Sequence, residues 1–382
     1  MQYRHFGKIN VKTSLLGFGT MRLPVINGND SKINEEETIK MIRYAIDNGV
    51  TYIDTAYPYH GGNSETLVGK ALQDGYRDKV ILATKNPTWL INTAEDWDKY
   101  LNEQLSKLKT DHIDFYLQHC FDADGWKKFK KLNLWEKAMK AKAEGKIKYF
   151  GFSFHDEYEV FADILDSYDW DFCQIQLNYL DTDYQAGIKG LEKAAAKNIG
   201  VVIMEPLRGG KLVNDLPGNI LNQIESFHIS HKPVEWAFKW LAHRQEVTAI
   251  LSGMSTMEQV KENIELFSRE DMVPGCMSKE ELTFFEDLAT QWKNMKLVGC
   301  TNCQYCMPCP NGVNIPECFN AYNYAHSARG DAHEVSRKKY KILTKNQNDA
   351  SNCVECGACE SACPQNIPII ETLKTLHEEL VK

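Results

Sequence analysis

Up to about residue 290, short apolar runs alternate with longer stretches in which apolar residues recur at helical spacing. Eight runs are almost continuously apolar, which predicts strands that are buried on both faces, as in a parallel sheet. These runs are Leu15–Phe18, Tyr52–Ala56, Val80–Lys85, Ile113–His119, Lys148–Phe154, Phe172–Leu177, Val201–Leu207 and Val247–Gly253.

The stretches between these runs predict helices. In Glu35–Asn48 apolar residues return every three or four positions, and Gly49 follows as a stop signal. The same pattern occurs in Trp97–Leu108, Leu132–Ala143, Leu191–Lys197, Val234–Ala242 and Met257–Leu266.

Strand and helix alternate eight times, which predicts an α/β fold of the (β/α)8 TIM barrel type. An open, doubly wound sheet is the alternative. Such a sheet usually carries a Gly-x-Gly-x-x-Gly turn after its first strand, and the segment Gly17–Arg22 lacks the third glycine. The barrel is therefore the favoured prediction.

Three segments lie outside this alternation. Residues 3–12 predict a short hairpin, and residues 278–298 predict a last helix and an exit from the barrel. Beyond them, Pro316–Ala328 and Ile367–Val381 have helical patterns. A chain of 382 residues also exceeds the usual size of one domain. We predict a barrel over residues 1–298 and a small, mostly helical domain over residues 299–382.

Composition narrows the class of protein. The chain is 43% hydrophobic and 25% charged, as in an ordinary globular protein. A net charge of −8 argues against nucleic acid or an anionic membrane as the main partner. No apolar run reaches the ~18–20 residues of a membrane helix, and the first residues do not form the apolar core of a signal peptide.

The cysteines are concentrated at one end of the chain. Nine of the 12 lie at or after residue 300. Disulfides in a secreted protein would be spread through the fold, so this clustering indicates metal ligation in a reducing compartment, which predicts a cytoplasmic protein.

Eight of these cysteines form two runs. Each run ends in a Cys-Pro pair, and the second has the spacing C-x2-C-x2-C-x3-C-P that is typical of iron–sulfur ligation. A turn with two intervening residues can direct three thiolates at one cluster. Zinc is the weaker alternative, because a zinc site would take four cysteines as two pairs. The predicted ligands are Cys300, Cys303, Cys306, Cys309, Cys353, Cys356, Cys359 and Cys363.

Four polar residues fall at or just after the ends of the second, third and fourth predicted strands, where barrel enzymes place their chemistry. They are Asp54, Tyr59, Lys85 and His119. Reduction of a carbonyl by hydride needs an acid, and a free tyrosine has a pKa near ~10. A nearby lysine would lower that pKa, an aspartate would hold the lysine, and a histidine would orient the carbonyl oxygen.

Residues 1–298 resemble an aldo-keto reductase. The segment YIDTAYPYHGGNSE resembles the family motif with the catalytic Asp and Tyr, VILATK the strand with the catalytic Lys, and IDFYLQH the strand with the catalytic His. The resemblance implies that Tyr59 is the general acid, that Lys85 and Asp54 tune it, and that His119 orients a small-molecule carbonyl substrate. It also implies NADP or NAD bound across the barrel mouth.

The resemblance further implies a set of coenzyme contacts. His155 stands where the family has Asn, and Met204 stands where an aromatic ring is common. Gln259 stands where NADPH-using members often have Arg, so both coenzymes remain open. The implied coenzyme contacts are Gly19, Thr20, Met21, Ser153, His155, Gln174, Met204, Leu207, Gly209, Gly253, Ser255, Gln259, Glu262 and Asn263.

The tail resembles that of the iron–sulfur-bearing aldo-keto reductases, which have a ferredoxin-like domain. This resemblance implies two [4Fe-4S] clusters with crossed ligation. Cys300, Cys303, Cys306 and Cys363 would hold one cluster, and Cys353, Cys356, Cys359 and Cys309 the other. A single cluster is the alternative, because only two residues precede Cys309 in its run.

Nine lysines between Trp126 and Lys148 form a solvated helix face or a docking patch for an acidic electron carrier such as ferredoxin or flavodoxin. Three functional hypotheses follow. The first is an oxidoreductase whose clusters exchange single electrons with a partner. The second is a plain carbonyl reductase with structural or oxygen-sensing clusters. The third is a redox-responsive binding protein, which the four polar residues at the strand ends argue against.

Overall fold

The computed structural model describes residues 1–214, 216–227, 231–295, 297–326 and 332–381. Its central feature is a closed barrel of eight strands. Neighbouring strands are parallel, and the last pairs with the first through Ile250–Leu16 and Gly253–Gly19. The predicted TIM barrel is thus confirmed. The open-sheet alternative fails, because this pairing leaves the barrel no free edge.

The strands follow the apolar runs closely. The hairpin strands are β1 (Tyr3–His5) and β2 (Lys12–Ser14), and the barrel strands are β3 (Leu16–Gly19), β4 (Tyr52–Asp54), β5 (Ile81–Asn86), β6 (Ile113–Phe121), β7 (Ile147–Phe154), β8 (Phe172–Gln176), β9 (Gly200–Met204) and β10 (Val247–Gly253). The predicted hairpin is present, since β1 and β2 pair antiparallel.

Helices occupy the intervals between the strands and most of the tail. They are α1 (Glu35–Asp47), α2 (Ser64–Ala71), α3 (Ala94–Leu108), α4 (Ala123–Lys131), α5 (Leu134–Ala143), α6 (Tyr158–Ser167), α7 (Gly187–Ala196), α8 (Lys211–Asn214), α9 (Gly218–Phe227), α10 (Pro233–Ala242), α11 (Met257–Ser268), α12 (Lys279–Asn294), α13 (Ile315–Ala325), α14 (Ala332–Lys345), α15 (Ala358–Ser361) and α16 (Ile369–Leu380). None of the helices in the described ranges is long and apolar enough to cross a membrane.

Some predicted boundaries differ from the structure. The helix predicted over Leu132–Ala143 begins later, because Asn133 is left-handed (φ 51°) and separates α4 from α5. The run Val201–Leu207 leaves the sheet at Met204. The predicted end of the first tail helix, Ala328, lies outside the described residues. Helix α2 had no predicted counterpart, since its apolar face is only two turns long.

Phe6 closes the bottom of the barrel core. Its ring lies 4.6 Å from that of Phe115 and 5.9 Å from that of Tyr52. A Cβ at Gly200 would lie 2.5 Å from Cδ1 of Phe6, so glycine is required where β9 passes this ring. The hairpin thereby seals the end of the barrel opposite to the carboxyl ends of its strands.

The chain divides into two compact units. The first comprises Met1–Pro206 and Phe238–Ser278, and the second comprises Leu207–Ala237 and Lys279–Lys382. In the tail, α13, α14 and α16 share a core that includes Phe319, Tyr340 and Leu376. The predicted domain boundary after residue 298 remains a prediction.

Candidate active site

A buried ion pair lies at the carboxyl ends of β4 and β5. Lys85 has no exposed surface and Asp54 is 2% exposed. The Lys85 ammonium donates to Asp54 Oδ1 over 2.6 Å and to the Thr55 carbonyl over 2.8 Å. Burial raises the pKa of Asp54, and the charge of Lys85 opposes that rise. The pair therefore holds the lysine in one place.

Tyr59 lies directly above this lysine. It opens a 3-10 turn, Tyr59–Gly62, shortly after β4. The ring centroid of Tyr59 is 5.2 Å from Lys85 Nζ and 6.2 Å from the imidazole of His119. The tyrosine, the lysine and the histidine thus lie side by side, although they come from three different strands and their loops.

The turn that carries Tyr59 is held by a residue that our sequence analysis missed. His60 is left-handed (φ 55°) and buried. Its Nε2 accepts from the Leu23 amide over 3.1 Å, so its Nδ1 carries the proton and donates to the Asp30 carbonyl over 2.8 Å. A histidine directly after the predicted acid was the only sequence signal for this role.

His119 lies near the end of β6, where the pairing with β7 shifts register and Cys120 is left-handed (φ 53°). The pKa of His119 is well below its ordinary value because the ring is buried, and the positive charge of Lys85 lowers it further. The imidazole is therefore neutral near pH 7. It can donate one hydrogen bond to a ligand, but it cannot supply a proton.

One face of His119 is covered by Trp89, whose ring lies 5.2 Å away. Trp89 is 44% exposed, so an apolar surface reaches from the histidine to the solvent. The structure thus brings together all four residues predicted for the chemistry. Their catalytic roles are taken up below as a proposal.

The residues expected around the nicotinamide lie on the next strands. Ser153 and Gln174 are register partners on β7 and β8. Within the described residues, Gln174 Oε1 is buried without a hydrogen-bond partner, and Nε2 makes only a 3.6 Å contact with the sulfur of Met204. An acceptor and a nearby hydroxyl are the groups that a carboxamide requires, so these residues fit a nicotinamide.

His155 follows the end of β7. Burial lowers its pKa to about 4, opposed by a hydrogen bond with Gln185. Its backbone amide donates to the Phe121 carbonyl over 2.9 Å. The histidine that replaces the expected Asn is therefore neutral, and its Nδ1 is buried without a hydrogen-bond partner in the described part of the chain.

The residues expected at the adenosine end lie where β10 meets α11. Thr256 caps the helix by accepting from the Gln259 amide, and Gln259 Oε1 accepts from the Ser255 amide over 2.8 Å. Asn263 donates to the Ser252 hydroxyl over 3.0 Å, and Glu262 is half-buried on the same helix. A helix N-terminus attracts phosphate, although in this structure the Gln259 and Ser255 amides are already bound by side chains.

Arg22 belongs to this region and was not among the expected contacts. Its carbonyl accepts from the Ser255 hydroxyl over 2.7 Å. A Cβ added to Gly253 would lie 3.3 Å from three of its side-chain carbons. The sequence signal was an arginine directly after Gly19-Thr20-Met21, in the first βα loop.

Two other predicted coenzyme contacts lie in the first βα loop, and two lie in the second compact unit. The Thr20 hydroxyl is buried between the Asp54 carbonyl and the Ser64 hydroxyl, at 2.9 and 2.8 Å, and Met21 beside it is half-buried. Leu207 and Gly209 belong to the second compact unit. There the Leu207 carbonyl accepts from the amides of Gly210 and Leu212.

Four tail cysteines line one small cavity that is partly open to solvent. They are the four predicted for one cluster: Cys300, Cys303, Cys306 and Cys363. Burial, together with the neighbouring Cys303, Cys300 and Cys363, raises the pKa of Cys306 to about 12. Four thiols that converge in this way have the donor chemistry that a cluster needs.

The other four predicted ligands lie on the same module. Cys309, Cys353 and Cys359 pack against the tail core, whereas Cys356 is exposed. Burial raises the pKa of Cys359, and the charges of Glu360 and Cys353 add to that effect. Cys318, by contrast, is fully buried in the core, as expected for a small apolar residue.

Comparisons with known proteins agree with this geometry. The sequence model of the aldo/keto reductase family matches residues 15–273, more than half of the chain, so this chain belongs to that family of oxidoreductases. A model described as a 4Fe-4S dicluster domain matches residues 299–367. The protein is thus an aldo/keto reductase with a C-terminal iron–sulfur domain.

Individual relatives cover mainly the barrel. L-galactose dehydrogenase of Arabidopsis thaliana is 25% identical over 316 residues, which are 77% of this chain and 96% of the relative. The uncharacterized oxidoreductase YrpG of Bacillus subtilis (strain 168) is 26% identical over 75% of this chain and 96% of its own. Among solved structures, the holo form of aldo-keto reductase AKR11C1 from Bacillus halodurans is similar with a TM-score of 0.63 and 25% identity, over 75% of this chain and 96% of that one.

Proposed function

We propose that this enzyme reduces a small-molecule carbonyl, or oxidises the corresponding alcohol, at the site formed by Asp54, Tyr59, Lys85 and His119. The observation that carries the proposal is the fully buried Lys85, paired with Asp54 at 2.6 Å and 5.2 Å from the Tyr59 ring centroid. Burial of a charged group costs free energy, so a buried and paired lysine beside a tyrosine indicates a functional role for its charge.

Tyr59 acts as the acid. NAD(P)H, when bound, would supply hydride for the carbonyl carbon. The Tyr59 hydroxyl gives its proton to the carbonyl oxygen, so that the products would be an alcohol and the oxidised coenzyme. The Lys85 ammonium stabilises the phenolate left behind, which takes a proton back from water. In alcohol oxidation each transfer runs in the opposite direction.

His119 orients the substrate. Because its pKa lies well below the usual value, the ring is neutral and can donate an N–H to the carbonyl oxygen without competing with Tyr59 as an acid. Trp89, packed on His119, gives this pocket an apolar wall.

Ser153, Gln174 and His155 hold the nicotinamide carboxamide, and the segment from Gly253 to Asn263 holds the adenosine phosphates. The buried, unpartnered Gln174 Oε1 supports the first assignment, within the residues described. The Thr256-capped N-terminus of α11 supports the second, since amides there attract phosphate. Both NADH and NADPH fit this description.

A Tyr59→Phe variant tests the site. We expect a loss of carbonyl reduction by ~10²–10⁴-fold in kcat, since the proton donor is removed, with coenzyme binding unchanged. Tyr57→Phe is the matched control, because the Tyr57 hydroxyl bonds Glu103, outside the site. Full activity in Tyr59→Phe would overturn the assignment of the acid.

The tail, we further propose, holds two [4Fe-4S] clusters with crossed ligation. The shared cavity of Cys300, Cys303, Cys306 and Cys363 supports one of the two sets. Anaerobically purified protein would then contain about eight iron atoms per chain. About four would favour the single-cluster alternative.

The clusters, in this proposal, exchange single electrons with a protein electron carrier such as ferredoxin or flavodoxin. A hydride carries two electrons, whereas a cluster accepts one at a time. Electron transfer to the clusters is tested by adding NADH or NADPH to the anaerobic protein and following the cluster absorbance and the paramagnetic signal. Clusters that stay oxidised while a carbonyl substrate is reduced would favour structural or oxygen-sensing clusters instead.

The lysine-rich barrel surface is not part of this proposal. Six of its nine lysines form ion pairs in the structure, including Lys137 with Asp98, Lys142 with Asp171 and Lys148 with Asp114. Paired in this way, most of these positive charges are compensated within the barrel, which favours the solvated-face interpretation.

A further inference from the structure

Three metal-binding side chains meet in the tail, apart from the cysteines. His326 caps the C-terminus of α13, His333 lies in the first turn of α14, and Glu379 lies in the last turn of α16. His326 Nε2 is 2.9 Å and His333 Nδ1 is 4.0 Å from Glu379 Oε1. All three ligand atoms lie within 4.8 Å of one another.

We propose that these three residues bind a divalent transition-metal ion of the zinc class. Imidazole nitrogen and carboxylate oxygen are ligands that Zn²⁺ takes at ~2.0–2.2 Å, and two His with one Glu leave a position open for water. A tetrahedral site of this size has ligand atoms ~3.3 Å apart. His333, whose side chain is 56% exposed, can rotate to close the difference.

The arrangement differs from an ordinary ion pair. Although His326 Nε2 is 2.9 Å from the Glu379 carboxylate, it is buried and makes no hydrogen bond of acceptable geometry within the described residues. Two ligands of one ion approach each other in this manner, because each directs its lone pair at the ion and not at its neighbour.

The surroundings suit a bound cation. Tyr322 packs on the His326 ring with centroids 4.5 Å apart and covers one side of the group. The imidazoles of His326 and His333 lie edge to face, with centroids 5.5 Å and planes 70° apart, beside the Glu379 carboxylate.

The ion would link three helices whose residues build the tail core. Helices α13, α14 and α16 contribute Phe319, Tyr340 and Leu376 to that core. An ion held by all three helices stabilises the folded tail, because unfolding separates its ligands. This site is chemically distinct from the cysteine sets, since its donors are nitrogen and oxygen only.

The test uses the full-length, cluster-loaded protein under anaerobic conditions, titrated with Zn²⁺ by calorimetry. We expect one saturable equivalent, cluster absorbance that does not change, and zinc-edge X-ray absorption with nitrogen and oxygen neighbours at ~2.0–2.2 Å. His333→Gln and Glu379→Gln should each weaken binding by more than the ~10-fold that even an outer-sphere change costs.

Two variants control for charge and residue type. His5→Gln and Glu378→Gln remove an exposed histidine and an exposed carboxylate outside the group, and both should bind zinc as the parent does. Since the His333 side chain is largely exposed, the His333→Gln variant should keep the fold. If Glu379→Gln loses its clusters, zinc binding by His333→Gln alone tests the proposed site. Zinc with sulfur neighbours at ~2.3 Å, binding that does not saturate, or binding unchanged in His333→Gln would each overturn the proposal.

Discussion

The barrel site and the cysteine cavity differ in how their buried ionisable groups are paired. In the barrel, the charge of Lys85 is met by Asp54 at 2.6 Å and by the Thr55 carbonyl, so the protein itself completes the site. In the tail, four thiols face one cavity, and the pKa of Cys306 rises to about 12 through burial and through three like charges. The first site pairs its buried charge within the protein, whereas the second brings four thiols to one cavity, which is the donor set that a metal cluster requires.

Removal of the clusters should have the largest effect on the folded protein. A full-length protein stripped of iron should lose the folded tail, because the cysteine segments are no longer joined through a metal cluster, while the barrel keeps its own unfolding transition. Limited proteolysis and calorimetry of the stripped and loaded forms would show this difference. A tail that resists protease equally in both forms would mean that its apolar core suffices.

The second prediction concerns the barrel ion pair. Lys85→Met should cost about 3–5 kcal/mol in the free energy of unfolding, because Asp54 is left buried and unpaired, and should lower kcat by ~10²-fold or more. Denaturant melts and carbonyl reduction assays measure the two losses. Lys70→Met, which removes an exposed lysine paired with Glu35, should change neither. Adding Asp54→Asn should restore part of the stability but none of the activity.

The third prediction is a pH effect on barrel stability. The folded pKa of His155, about 4, lies below its ordinary 6.5, so the unfolded chain takes up a proton first as pH falls. The stabilisation that comes from burying neutral His155 is complete above pH ~6.5 and is lost as the pH falls toward ~4. The free energy of unfolding decreases by up to about 3 kcal/mol over this range. His155→Asn should flatten this slope in melts at several pH values. If the slope is unchanged in His155→Asn, the pH dependence of stability comes from other groups, and His119 is the first of these to test.

The smallest effect should come from the bottom of the barrel. Gly200→Ala places a Cβ 2.5 Å from the ring of Phe6, which must shift, at a cost of ~1–3 kcal/mol in stability. A Phe6→Leu change in the same chain makes room and should recover part of that loss. Thermal melts of the two single variants and the double variant would show the coupling. If the effects simply add, the close approach is relieved elsewhere.

Much of the barrel could be predicted because its signals are local. Each strand is an apolar run, and each predicted catalytic residue ends such a run or follows it closely, as Lys85 ends Val80–Lys85. Helix α2 was missed because it is short, and the break at Asn133 because a left-handed residue leaves no periodic trace.

The electrostatic state of the site could not be predicted in the same way. The neutral form of His119 depends on burial and on the charge of Lys85, which comes from another strand. The pairing of Lys142 with Asp171 likewise joins residues 29 positions apart, and pairs of this kind favour one of the two interpretations of the lysine-rich surface.

The sequence alone determined the alternation of elements, the cysteine spacing and the four residues at the strand ends, because each depends on neighbours within a few positions. Only the tertiary structure decided that the sheet closes and that His326, His333 and Glu379 meet. It also brings Cys363 to the cavity of the first cysteine run, as the predicted crossed ligation requires. These are contacts between distant parts of the chain, and such contacts are set by packing, which no short stretch of sequence contains.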